Sequence, residues 1–216
     1  MYVPATLALP VTPLSQPSAL ATQPPVGEAS ARPVPLRTAL HVRGADLDVL
    51  AGRSATITGT LVPRLADRRV VLQLRRHGGW RTVVGTQTGA RGRYRLRLRL
   101  DTLGSTAARV LFRGDAQERS SHRRLGLLNV FRLAGASWYG GGGTMACGGW
   151  LTSSTLGVAN KTLPCGTLVT LRYGGRTVRV PVVDRGPYVA GREFDLTEAT
   201  KRALGFEGVG EVWATR

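Results

Sequence analysis

Two aspartates near the C-terminus are brought together by a strand, a Gly/Pro loop and a helix start, and two carboxylates so placed look like a site for acid–base chemistry. Asp184 ends the apolar run 178–183 and opens the turn Asp184-Arg185-Gly186-Pro187. Asp195 follows eleven residues later (195 − 184), within Arg192-Glu193-Phe194-Asp195-Leu196, and a helical pattern begins directly after it. A couple of carboxyl groups can divide the work, one as general acid and one as base or nucleophile. The acid must hold its proton near neutral pH, and partial burial against an apolar run such as 180–183 raises a carboxyl group's proton affinity. Arg185 would act the other way if its guanidinium pointed back at Asp184. Structural roles compete with both assignments. Asp195 precedes Glu198 by a capping-box spacing, and Asp184 could simply fix the loop ahead of Gly186 and Pro187.

The remaining reactive side chains offer less. His41, His77 and His122 share no spacing with carboxylates and receive no role. Cys147 and Cys165 lie 18 apart without a CxxC or Cys/His pattern, so neither a metal nor another cofactor is expected. In an exported protein they would pair and close a short loop, whereas in a reducing compartment they would remain thiols.

The elements that must position these groups are mostly strands. From about Thr38 to Phe131, short alternating runs sit between Gly-containing turns, at 55–61, 70–75, 80–86, 108–113 and 126–131. The clearest is Tyr94-Arg95-Leu96-Arg97-Leu98-Arg99-Leu100, which would turn its leucines inward and its arginines to solvent. This texture, with no helical pattern between the runs, predicts an immunoglobulin-like or fibronectin-like β-sandwich over 38–132. Residues 1–37 are rich in Pro, Ala, Ser and Thr and read as a disordered tether. Residues 133–216 form a third texture: a Gly run at 140–143, strands at 168–173 and 177–183 joined by Gly174-Gly175, a helix over 198–204 and a last strand at 209–214.

Charge narrows the partners. Thirty basic residues against 13 acidic ones give +17, and Lys161 and Lys201 are the only lysines. Such a field concentrates polyanions. No helix-turn-helix, zinc-finger or aromatic RNA-binding pattern accompanies it, so no nucleic acid is expected. The stretch 1–13 lacks a basic leader and is broken by Pro4, Pro10 and Pro13, so a signal peptide is not evident, and no later segment is long enough to span a membrane.

Five motifs, in order, carry a resemblance: A-S-W-Y-G (136–140), A-C-G (146–148), N-K-T-L-P-C-G-T (160–167), V-V-D-R-G-P-Y (182–188) and G-R-E-F-D-L-T (191–197). Together they resemble the double-psi β-barrel of the rare lipoprotein A (RlpA)-like family, which is related to expansins and barwin-like domains. The resemblance implies an all-β fold ending in a six-stranded barrel with a short helix and a groove for extended polysaccharide. It implies Asp184 as general acid with Asp195 as its partner, and places Ser137, Trp138, Tyr139, Asn160, Arg185 and Tyr188 along the groove as substrate contacts. It also implies a Cys147–Cys165 disulfide, as in the expansin-like branch. The expected partner is peptidoglycan or another anionic wall polysaccharide, met by a monomer in the wall or outside the cell.

Two functions stay open. One is a lytic transglycosylase, in which the muramic acid 6-hydroxyl is the nucleophile and one acid suffices. The other is a non-catalytic, expansin-like module that binds or loosens the wall. Transglycosylase members of the family typically carry His where this chain has Asn160, and they carry acidic residues upstream of it. Here 148–159 contains no Asp, Glu or His. An Asn holds a hydroxyl but cannot shuttle a proton.

Overall fold

Alternating apolar residues and Gly-punctuated turns give a chain built almost wholly from strands. The computed structural model describes Met1 and residues 34–216, so most of the tether expected over 1–37 lies outside the described residues. The end of that stretch is paired: Leu36 bridges to Glu118, its N–H donating to the Gln117 carbonyl at 2.8 Å. The strands in order are β1 (Ala39–Ala45), β2 (Asp48–Leu50), β3 (Arg53–Val62), β4 (Arg69–Arg76), β5 (Gly79–Gln87), β6 (Arg93–Leu100) and β7 (Gly104–Phe112). Then follow β8 (Ser121–Tyr139), β9 (Gly143–Thr144), β10 (Trp150–Leu151), β11 (Val158–Ala159), β12 (Leu168–Tyr173) and β13 (Arg176–Asp184). β14 (Phe194–Thr197), helix α1 (Glu198–Leu204) and β15 (Gly210–Ala214) complete the chain.

In the first half, β1–β3–β6 form one sheet, while β5–β4–β7–β8 with β2 form another. Their inward residues, among them Ile57, Leu61, Leu72, Leu96, Val110 and Leu128, make one core. Tyr94 crosses this core over Gly59, and a Cβ at Gly59 would stand 2.3 Å from the Tyr94 hydroxyl. The glycine is needed there because the ring takes its space.

The second half closes on itself. Following the pairings from β8 through β14, β11, β13, β12 and β15 returns to β8, a closed barrel of six strands. Closure leaves no unpaired edge. A second core fills it, centred on Ala136, Val158, Leu171, Val180, Val182, Phe194, Leu196 and Phe206. The Gly174-Gly175 turn between β12 and β13 has both φ values positive, 53° and 86°, as a two-residue hairpin turn requires.

The boundary expected near 132 falls inside one uninterrupted strand. The N-terminal part of β8 pairs with β7 and β2, whereas its C-terminal part pairs with β15 and β14. Side chains reinforce the junction. Ser105 Oγ lies 2.7 Å from Thr170 Oγ1, and the Asp48 carboxylate lies 3.4 Å from Arg172 and accepts from Thr177 at 3.1 Å.

Helix α1 begins where its cap is. Thr197, not Asp195, is the N-cap: its hydroxyl accepts from the Thr200 N–H at 3.4 Å. Gly205 ends the helix in the left-handed region, with φ 67°, and its N–H donates to the last turn. Gly157 is clamped to this start by Thr197 and Thr200, whose hydroxyls bond both its N–H and its carbonyl. A Cβ at Gly157 would stand 2.4 Å from Val183 Cγ2. Gly157→Ala is therefore expected to cost about 1–3 kcal/mol through overpacking. Chemical denaturation checks this, and an unchanged midpoint would contradict the packing described here.

Candidate functional site

The site is built by the register of four strands. Ser137 on β8 pairs with Asp195 on β14, Asp195 pairs with Ala159 on β11, and Ala159 pairs with Asp184 at the end of β13. The carboxylates thus flank one small residue, two strands apart, or about 10 Å between backbones. Simple alternation would send Asp184 into the core after Val180 and Val182. An irregularity intervenes: Val158 pairs with Val182 but Ala159 with Asp184, leaving Val183 as an extra residue. Such a bulge re-aims the side chain that follows it.

Each carboxylate has a distinct setting. Asp184 Oδ1 accepts from the Ala146 N–H and from the Arg185 N–H, each at 2.8 Å. Among the described residues no hydrogen bond within 3.5 Å reaches its Oδ2, and the Tyr139 hydroxyl is near enough to interact with the carboxylate. The Ala146 donor is fixed by the adjacent Cys147–Cys165 disulfide, with Cα atoms 5.5 Å apart, and by the Cys147 N–H bonding to the Val183 carbonyl at 3.2 Å. Asp195 is half-buried and accepts from Ser137 Oγ at 2.8 Å. Burial pushes its carboxyl pKa up, with a small further push from Asp184. The Ser137 hydrogen bond and the charge of Arg192 oppose the shift.

That shift links Asp195 to stability. The folded chain holds this proton more tightly than the unfolded chain, whose aspartate titrates near 3.8. The stability from this group is therefore present at low pH and falls as pH rises through the window above 3.8. Asp195→Asn, which still accepts from Ser137, is expected to melt above wild type near neutral pH and to lose that advantage in acid. Melting curves across pH check this, and a variant less stable than wild type at neutral pH would contradict it.

Tyr139 closes the site from β8. Its hydroxyl is buried without a hydrogen-bond partner among the described residues. Burial, then the Asp184 charge close by, push its pKa far up, so it stays protonated and available as a donor.

The other sequence-derived contacts divide. Trp138 is 40% exposed, with Lys201 Nζ 4.0 Å from its ring centroid, and Tyr188 is 80% exposed in the loop after Pro187. Asn160 is buried and spent on structure: Oδ1 accepts from the Thr162 and Leu163 N–H groups, and Nδ2 donates to the Glu193 carbonyl. Arg185 turns away from Asp184 and donates to the carbonyls of Asn160 and Leu163 at 3.1 and 2.8 Å. It braces the loop that carries Cys165.

Two features are absent from the residues picked out by sequence. The Ala146 N–H is a backbone donor and has no sequence signal. Trp150, 64% exposed on β10, was signalled by an aromatic residue following Gly148-Gly149 in a polar stretch. Among the described residues no group of three or more His, Cys, Asp or Glu could hold a metal. No helix of the described chain is long and apolar enough to cross a membrane.

The C-terminal part of the chain is similar to known proteins. The family model described as lytic transglycolase matches residues 133–213. A probable endolytic peptidoglycan transglycosylase RlpA of Aquifex aeolicus is 45% identical over 75 residues, covering 32% of this chain and 33% of that protein. The protein of the same name from Synechocystis is 42% identical over 84 residues, covering 36% and 26%. The endolytic peptidoglycan transglycosylase RlpA of Rickettsia bellii is 36% identical over 83 residues, covering 35% and 37%. The chain thus spans between 26% and 37% of the length of these curated relatives. Among solved structures, the Streptomyces papain inhibitor aligns over 40% of this chain and 94% of its own, at 29% identity and a TM-score of 0.33. A six-stranded closed barrel, a matching family model and relatives of one name lead to one conclusion: residues 133–213 are an RlpA-like double-psi β-barrel domain.

Proposed function

We propose that the protein acts on the glycan strands of peptidoglycan as a lytic-transglycosylase-like lyase, with Asp184 as general acid and Asp195 as its partner. The observation that carries this is the row Ser137–Asp195–Ala159–Asp184 across four strands. Two backbone donors hold Asp184 Oδ1, leaving Oδ2 for the glycosidic oxygen. Asp195, whose proton affinity is raised by burial, stands on the same row, across Ala159 from Asp184. In the reaction the muramic acid 6-hydroxyl attacks C1 and the glycosidic bond breaks. The leaving oxygen takes the proton of the acid, and the resulting carboxylate takes the 6-hydroxyl proton. The carboxyl is regenerated, no water is consumed and a 1,6-anhydro end is left.

Trp138, Trp150 and Tyr188, all exposed, would offer rings on which sugars stack. In this proposal the tether 1–37, the strand-rich segment 38–132 and the barrel 133–216 make a monomeric protein that works in the wall, outside the cytoplasmic membrane.

A second reading is favoured by one observation. The Asn160 amide is held by its own loop and by the Glu193 carbonyl, and an amide does not titrate, so that position provides no proton carrier. A binding or wall-loosening module of expansin type would need none. Incubation with peptide-stripped glycan strands, followed by mass spectrometry, separates the two. New anhydro-muramic ends support the lyase. Strands that sediment with the protein but gain no new ends would establish the binder.

A further inference from the structure

The outer face of the β1–β3–β6 sheet carries a charge pattern that the barrel does not use. Tyr94, Leu96 and Leu100 of β6 are buried, whereas Arg93, Arg95, Arg97 and Arg99 are exposed. Successive arginines stand two residues apart, about 7 Å along a strand, so the four span about 20 Å. β3 sets a partly exposed hydroxyl beside three of them, since Thr58 pairs with Arg95, Thr56 with Arg97 and Ser54 with Arg99, while Thr60 opposite Arg93 is buried.

On the far side of β3, the register of β1 slips between Val42 and Gly44, leaving Arg43 as the extra residue. A bulge turns such a side chain out of the alternating pattern. Exposed Arg43 joins Arg93, Arg95 and Thr58 around a cleft of about 400 Å³. Gly44 leaves the Thr58 hydroxyl open, since a Cβ there would stand 3.3 Å from Thr58 Oγ1. Among the described residues, only Arg99 of these five arginines has a carboxylate within ion-pair range, the exposed Asp101 at 3.5 Å. Folding of the sheet requires the buried side of β6, but not an arginine column in register with a hydroxyl column and a bulged fifth arginine.

We propose that this face is a binding ladder for a linear phosphodiester polymer of the cell wall, a polyol-phosphate chain laid along β6 with an anion at each arginine step. A guanidinium fork takes both non-bridging oxygens of a phosphodiester at once, and a neighbouring hydroxyl donates to one of them. Phosphodiester chemistry fits the short, regular step, whereas a glycan with one carboxylate per disaccharide is too sparsely charged to match it. The choice of a wall polymer rests on the proposed wall function of the barrel; the ladder itself does not.

Calorimetric titration of the full chain with purified poly(glycerol phosphate) at several salt concentrations tests the ladder. The variant Arg93→Gln/Arg95→Gln/Arg97→Gln is compared with Arg119→Gln/Arg123→Gln/Arg124→Gln, which removes the same charge from exposed positions elsewhere. The ladder variant is expected to bind about tenfold or more weakly. Its slope of log affinity against log salt should flatten by about 2, at roughly 0.7 for each phosphate of a single-stranded polyanion that is no longer neutralised. The control should stay close to wild type. Equal losses in both variants would reduce the face to net charge and overturn the proposal. Tighter binding by wild type to single-stranded nucleic acid of equal length would overturn the occupant. Formation of anhydro ends on phosphate-free glycan, measured in parallel, is expected to be unchanged in the ladder variant. Failure of the ladder is thereby distinguished from failure of the barrel's proposed chemistry.

Discussion

Asp184→Asn is expected to lower the rate of glycan cleavage by about 10²–10⁴-fold, the usual contribution of a positioned acid. The substitution removes the proton and little else. Asn Oδ1 accepts from the Ala146 and Arg185 N–H groups as the carboxylate oxygen does, so the loops that meet at Asp184 keep their anchor. Strand binding and the melting temperature should therefore stay near those of wild type, which separates chemistry from folding. Cosedimentation with glycan strands and a thermal melt, run beside the cleavage assay, complete the test. A variant that still cuts at the wild-type rate would remove Asp184 from the mechanism and shift attention to Asp195, whose carboxyl is pushed up by burial.

The second large effect is on the disulfide. Replacing Cys147 and Cys165 together by Ser reopens a loop of 18 residues of separation. On the chain-entropy model this costs about 3 kcal/mol, a fall in melting temperature on the order of 10 °C. The consequence for the site is more specific. Ala146, the donor to Asp184, adjoins Cys147, and Arg185 lies 3.2 Å from the Cys165 sulfur. Loss of the bridge frees both the donor and the brace, so cleavage should fall at temperatures where the barrel is still folded. Retained activity with an unchanged melt would show that the loop holds its place without the covalent link.

Much of the barrel was legible because its strongest signals are local. The Gly174-Gly175 turn, the apolar runs of β12 and β13, and the helix over 198–204 follow from turn chemistry and periodicity. The five ordered motifs carried the family. The short strands were not legible: β11 has two residues, and its place between β14 and β13 depends on pairing partners far away in sequence. The same holds for the bulge at Val183, which decides that Asp184 joins the row of Asp195 rather than the core.

Sequence spacing offered Asp195 as a cap, but Thr197 holds that place, since its hydroxyl stands directly before the first helical residue. Asn160 and Arg185 carried the right residue types for substrate contact. Their hydrogen bonds instead secure the loop 160–165, a use that depends on loop shape rather than on motif. In the first half, the alternation of β6 was clear, but the pairing that sets a partly exposed hydroxyl beside three of its arginines emerged only with the register.

The central claim is that the barrel breaks glycan strands by internal attack of the 6-hydroxyl, with Asp184 giving and retaking one proton. Digestion of peptide-stripped strands in water enriched in heavy oxygen, followed by mass spectrometry of the new ends, tests it most directly. The predicted result is 1,6-anhydro ends that carry no label, formed about 10²–10⁴-fold more slowly in Asp184→Asn. Labelled reducing ends would mean hydrolysis by water. Strands that bind and sediment but gain no ends of either kind would contradict catalysis altogether.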